Sequence, residues 1–236
     1  MNTIFHPASS RGFADHGWLQ ARHSFSFASY YDAERVHFGK LRVLNDDIVA
    51  PGKGFGTHPH NNMEIITIPL RGQLEHKDSM GNGSVITPGE VQVMSAGSGV
   101  MHSEFNPSQK EEVSLFQIWI FPEEKDVEPR YDQREFDPDT FKNNIITLVN
   151  NDRDGNTLFI HQKAAVSLGK PDAGSSLTYQ NRYTGNGVYM MVIDGKITLD
   201  GQTLLKRDAM GIWDTDEFTL KADTDSFVLF LEVPMN

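Results

Sequence analysis

Short runs of Val, Ile, Leu, Phe and Tyr alternate along the chain with Gly- and Pro-containing punctuation, and stretches with helical period are scarce. That pattern predicts an all-β protein. In the first half, strands are expected at 41–44, 64–69, 72–77, 91–94 and 115–120, with turns at 80–83 and 87–90. In the second half they are expected at 145–149, 158–161, 188–193, 195–199, 209–213 and 227–233, at the spacing of a sandwich or barrel.

The chain runs this theme twice. Residues 68–76 and 192–199 share a pattern of strand, glycine turn and alternating strand, and 88–94 and 206–212 supply the next turn and strand in each copy. Between the copies, 121–136 (FPEEKDVEPRYDQREF) is charged, proline-containing and poor in aliphatics, as expected of a surface crossing between two cores. Two domains are therefore expected, 1–136 and 137–236.

Composition narrows the chemistry. The 236 residues include no cysteine and nine histidines, which excludes disulfides, thiolate zinc sites, iron–sulfur clusters and a cysteine nucleophile; any metal must be held by His, Asp or Glu. A formal charge of -11 argues against nucleic acid or an anionic membrane as the main partner. The longest apolar stretches, 113–121 and 227–233, are far short of the about 20 residues that cross a bilayer. Residues 1–12 lack the basic start and apolar core of a secretory signal, so a cytoplasmic location is expected.

Of the nine histidines only His161 lies beyond Glu104, so the first copy carries the candidate site. His58 and His60 are spaced i, i+2, which on a strand projects both imidazoles from one face. His102 and Glu104 repeat that spacing, and two such strands paired together could offer three imidazoles and one carboxylate to a divalent ion: iron, manganese, cobalt, nickel, copper or zinc. One H-x-H arises readily by chance on a surface strand; two spaced pairs, each beside glycine-rich turns, do not. Glu64 has the parity of His58 and His60, and is either a fourth ligand in place of Glu104 or an acceptor that orients an imidazole N–H. His6 and His161 read as surface residues, and His16, His23 and His37 as loop or rim residues. His76 stands alone on its strand and is not expected to be a ligand. Phe25, Phe27, Phe55 and Met94 are candidate cavity walls, though for each taken singly plain core packing is the stronger reading.

Gly52, His58, His60 and Glu64 match the cupin pattern G(x)5HxH(x)3-4E(x)6G, with the closing glycine one residue late at Gly72. Gly89, Ser95-Ala96-Gly97, Gly99, His102 and Asn106 follow the second pattern, G(x)5PxG(x)2H(x)3N, with two extra residues and Ser95 where proline is usual. Together with Arg11-Gly12-Phe13, His23-Ser24-Phe25-Ser26-Phe27, Leu41-Arg42-Val43-Leu44-Asn45-Asp46-Asp47 and His76-Lys77-Asp78-Ser79-Met80-Gly81-Asn82, these make the chain resemble the pirin family, in its bacterial branch, over about 11–138.

The resemblance implies a bicupin: two face-to-face β-sandwich (jelly-roll) barrels with few short helices. The N-terminal barrel would hold a metal, Fe(II) above the other candidates, through His58, His60, His102 and Glu104, with Glu64 not touching it; the C-terminal barrel would hold none. It further implies quercetin 2,3-dioxygenase activity, in which a flavonol ring is opened with O2 and carbon monoxide is released, with Glu104 as both ligand and base. The alternatives are a redox-sensing regulatory protein that docks a protein partner, and a cupin oxygenase or isomerase acting on another small enolic substrate.

Overall fold

The two longest apolar runs fold as the strands Val113–Ile120 and Phe227–Pro234, each inside a seven-stranded sheet and covered on both faces, which is why their apolar residues run on instead of alternating. The computed structural model describes residues 1–153 and 155–236. In chain order the first strands are β1 (Asn2–His6), β2 (Gly12–Asp15), β3 (Leu19–His23), β4 (Leu41–Val49), β5 (Gly54–His60) and β6 (Glu64–Arg71). They are followed by β7 (Leu74–Asp78), β8 (Gly83–Ile86), β9 (Glu90–Ser95), β10 (Val100–Phe105), β11 (Val113–Ile120) and β12 (Arg130–Glu135). The second half contributes β13 (Ile145–Asn150), β14 (Leu158–Phe159), β15 (Ala165–Gly169), β16 (Ser176–Gln180) and β17 (Asn186–Asp194). It ends with β18 (Lys196–Leu199), β19 (Gln202–Leu205), β20 (Ala209–Trp213), β21 (Glu217–Ala222) and β22 (Phe227–Pro234). Two short 3₁₀ turns, Ala8–Ser10 and Pro138–Phe141, are the helical elements among the described residues, and no helix is long and apolar enough to cross a membrane.

The strands form two seven-stranded and two four-stranded sheets with matching orders. The large sheets run β12-β9-β6-β11-β4-β3-β2 and β1-β20-β17-β22-β15-β13-β14; the small ones run β5-β10-β7-β8 and β16-β21-β18-β19. The internal repeat is therefore real at the level of topology. Each half is a sandwich of one large and one small sheet, not a closed barrel, and the large sheets pack face to face. Ile66, Ile68, Phe116 and Ile118 of the first join Val166, Tyr189, Leu229 and Leu231 of the second in one shared core. Strand alternation then sends Ile65, Thr67 and Gln117 to the opposite face, toward β5 and β10.

Three expectations change. Residues 130–135, expected within a surface crossing, form β12 and pair with β9 at the edge of the first large sheet. The charges that made the segment look like a linker suit an exposed edge, where they discourage further strand pairing. Second, β1 pairs with β20, so the chain opens in the sheet of its second half. Third, His6 and His161 are not surface residues. His6 is buried against the Tyr189 hydroxyl at 2.9 Å, and the His161 ring lies 3.5 Å from the buried Glu64 carboxylate across the two halves.

Candidate metal centre

The small sheet of the first half builds the site from its edge strand β5 and the neighbouring strand β10. β5 and β10 pair antiparallel with His58 opposite His102 and His60 opposite Val100, so the i, i+2 pair on β5 and the first member of the pair on β10 share one face. The ring centroids of His58, His60 and His102 lie 4.4–4.8 Å apart. Their nearest ring nitrogens all fall within 4.8 Å of one another. A β-bulge between His102 and Glu104 shifts the register there. Opposite it, a side chain at Gly54 would run into the Glu104 backbone, which accounts for glycine at that position.

Hydrogen bonding sorts the ring nitrogens. His58 Nδ1 lies 2.8 Å from the Gly56 carbonyl, so it carries the proton and leaves Nε2 with a free lone pair. Both nitrogens of the buried His102 lack any protein partner. Burial, then neighbouring His58, holds the His60 pKa down to about 4. The same causes, burial first and then His58, His60 and His76, hold His102 down to about 3. Both rings are neutral at pH 7, the form that binds a metal, and an orphaned buried imidazole is costly unless something fills it.

Glu104 is buried, and burial pushes its pKa up to about 7 against the opposing hydrogen bonds of Gln117 and Thr67. Gln117 Nε2 donates to both carboxylate oxygens at 3.2 and 3.0 Å, and Thr67 Oγ1 lies 3.5 Å away. Glu104 clusters within 4.8 Å with His102 and with His76, so His102 is common to both groups of candidate ligands. His76, read from sequence as standing apart, is in fact buried beside the site. Its two nitrogens already have partners, Asp78 Oδ2 at 3.2 Å and Gln92 Nε2 at 3.4 Å, and its ring stacks on Tyr131. These contacts orient its ring beside His102 and Glu104, the residues with which it clusters. Glu64 accepts from Ser95 Oγ at 2.7 Å and faces His161, so its carboxylate is directed to the junction of the halves.

The imidazoles open into a cavity of about 450 Å³ that also reaches Glu104, Gln117, Asn45 and Asp47. Trp18, Phe27, Phe55, Ile65 and Trp119 form its apolar walls. Phe27 and Phe55 are thus wall residues, whereas Phe25 and Met94 sit in packed cores. His23, expected in a loop or on the rim, is instead a buried residue at the end of β3 that lines the cavity, tied to Asn45 Oδ1 at 2.9 Å. Burial, with Asp46 and Glu104 adding repulsion, pushes the Asp47 carboxyl up to about 8. Sequence reading missed Asp47, Thr67, Gln117 and Trp119. The available signal was polarity inside otherwise apolar central strands, most plainly Gln117 in the run 113–121.

A donor set of neutral imidazoles beside a carboxylate, with a buried unsatisfied ring at its centre, fits a divalent transition ion. Comparison with known proteins agrees. The Pirin family model matches residues 5–120, and the model for the quercetinase C-terminal cupin domain matches 147–233. A quercetin 2,3-dioxygenase of Escherichia coli (strain K12) is 44% identical over 230 residues, 96% of each chain. A pirin-like protein of Caulobacter vibrioides is 39% identical over 227 residues, covering 96% of this chain and 97% of that one. The crystal structure of the bacterial pirin YhhW from Escherichia coli in complex with nickel(II) superposes with a TM-score of 0.93 at 40% identity, covering all of both chains.

Proposed function

The chain belongs to the pirin family, and from that premise we propose that it is a metal-dependent dioxygenase of the quercetin 2,3-dioxygenase kind, acting on a flavonol and O2 with release of carbon monoxide. The observation that carries this reading is His102: a buried imidazole with neither nitrogen partnered among the described residues, packed against both His58 and His60 in the lining of a cavity with aromatic walls. We assign His58, His60, His102 and Glu104 as the ligands. When bound, a divalent ion, Fe(II) in our assignment, supplies Lewis acidity to a substrate hydroxyl and electron-transfer chemistry toward O2.

The protein's own contribution is to hold, exclude and take a proton. The Nδ1–H of His58 is fixed on Gly56, so its Nε2 is aimed without rotational search. The cavity volume falls within the range of small-molecule sites, and its aromatic walls suit a flat ring system while keeping water from a reactive intermediate. Glu104, lining the cavity beside His102, is placed to accept the acidified 3-hydroxyl proton of a flavonol. Gln117 and Thr67 hold the carboxylate while it does so.

Metal-loaded protein is expected to consume quercetin and O2 and to release carbon monoxide, and His58→Ala and Glu104→Ala to fail in this. Reconstitution with iron, manganese, cobalt, nickel, copper and zinc in turn ranks the metals. Equal turnover by metal-free protein overturns the reading.

A further inference from the structure

Among the residues lining this cavity, Asp47 and Trp119 have no assigned part in holding the metal, and each keeps a buried polar atom with no hydrogen-bond partner among the described residues. Strand β4 alternates sharply at its middle. Asp46 points away from the cavity, where Arg11 of the first half and Arg207 of the second reach its Oδ2 at 3.1 and 2.9 Å, while Asn45 and Asp47 face the cavity. Asn45 is committed to His23. Asp47, only 4% exposed, keeps a buried Oδ1 with no hydrogen-bond partner among the described residues. The nearby guanidinium groups of Arg11 and Arg207 are paired with its neighbour Asp46. Trp119, on β11, likewise keeps a buried Nε1–H without an acceptor. Its ring is held edge-on by Phe27 at 5.4 Å and His60 at 4.9 Å, which fixes where the N–H points.

Unpaired buried polar atoms on residues that line a cavity with aromatic walls are a strain on the free protein and a source of selectivity when a ligand pairs them. We propose that Asp47 and Trp119 read the polar edge of the substrate: Asp47 Oδ1 accepts from a ring hydroxyl, and Trp119 Nε1–H donates to a separate oxygen of the same flat, polyhydroxylated aromatic molecule. These two residues then choose among flavonols by hydroxylation pattern, while the metal ligands act on the reacting hydroxyl common to all of them. The inference rests on the proposed flavonol reaction and adds the residues that set its specificity.

The test uses full-length, metal-loaded wild type, Asp47→Asn, Asp47→Ala and Trp119→Phe. Metal content is measured for each, then anaerobic binding by fluorescence, then kcat and KM in O2, with quercetin and analogues that each lack one ring hydroxyl. Wild type is expected to lose about 10- to 100-fold in affinity for one particular deoxy analogue, since that analogue leaves Asp47 unpaired. Asp47→Ala should bind quercetin weaker by the same factor and no longer distinguish it from that analogue, with KM carrying the change. The near-isosteric Asp47→Asn, which keeps a carbonyl acceptor, should recover part of the discrimination even if the alanine variant folds poorly. Trp119→Phe should weaken binding with unchanged discrimination at the Asp47 position. Wild-type-like binding in all variants, or an equal loss for every analogue, overturns the inference while leaving the dioxygenase reading standing if quercetin is still consumed. Failure of wild type to bind or turn over any flavonol overturns both.

Discussion

Where the first half places His58 and His60 on β5 opposite His102 and Val100 on β10, the second half places Leu177 and Tyr179 on β16 opposite Leu220 and Phe218 on β21. The strand orders are the same and the i, i+2 inward spacing is the same. What differs is occupancy. Tyr179 stacks on Phe218 and Phe230 with centroids 5.6 and 5.0 Å apart, and Met190, Val228 and Leu204 complete a packed interior. A buried carboxylate here, Glu232, is fully used: it accepts from the Tyr179 hydroxyl at 2.9 Å and from the backbone N–H groups of Arg182 and Tyr183 at 2.9 and 2.8 Å. One sandwich is filled with aromatic side chains; in the other, small and polar residues leave room and unpaired atoms. The fold supplies inward-facing positions, and side-chain volume and pairing decide whether they become a core or a site.

Removing a ligand should break this contrast most. His102→Ala is expected to carry almost no metal after gel filtration against chelator and to show no quercetin turnover, as read by elemental analysis and carbon monoxide release. Its second half should stay intact, since that core shares no residue with the site. The mirror experiment is Phe230→Ala. Emptying a fully buried aromatic position is expected to cost about 3–5 kcal/mol in denaturant unfolding, with metal content per folded chain unchanged. Metal loss in that variant would mean the two halves are not separable in this way.

How much of this could be read from the chain depends on how local each signal is. The candidate ligands were legible because they are scarce residues at i, i+2, and a strand converts that spacing into geometry without help from distant segments. Central strands such as β6, β11, β17 and β22 were legible for the same reason: two buried faces leave continuous apolar runs. Edge elements were not. β12 is charged because it is an edge, and β1 finds its partner at β20, almost a whole chain away. Asp47, Trp119 and Gln117 gain their meaning only when β4 and β11 pair and turn those side chains over the small sheet, a fact of tertiary packing that no local pattern carries. The position of His76 beside the site was illegible for the complementary reason, since its distant partner Gln92 and its neighbour Asp78 are what place it.

Gln117 offers a smaller and more selective perturbation. It donates to both oxygens of Glu104 without being a candidate ligand itself, so Gln117→Ala is expected to weaken metal affinity by about 10- to 100-fold, the usual effect of losing a group that orients a ligand. Competition titration against a chelator of known affinity would measure it. An unchanged affinity would show that Glu104 needs no orientation or takes no part in binding.

The finest test is the pH dependence of that affinity. In the metal-free protein burial raises Glu104 to about 7, so below that pH the carboxyl holds a proton that an incoming cation must displace. Proton loss favours binding, so lowering the pH weakens it. Glu104→Gln carries no such proton, while both proteins retain the same three histidines. The ratio of their apparent metal affinities therefore isolates the carboxylate: the wild-type advantage should shrink by roughly tenfold for each pH unit below about 7. A ratio that stays constant with pH would remove Glu104 from the ligand set and leave an imidazole-only centre. The contrast between the halves would then rest on His58, His60 and His102 alone.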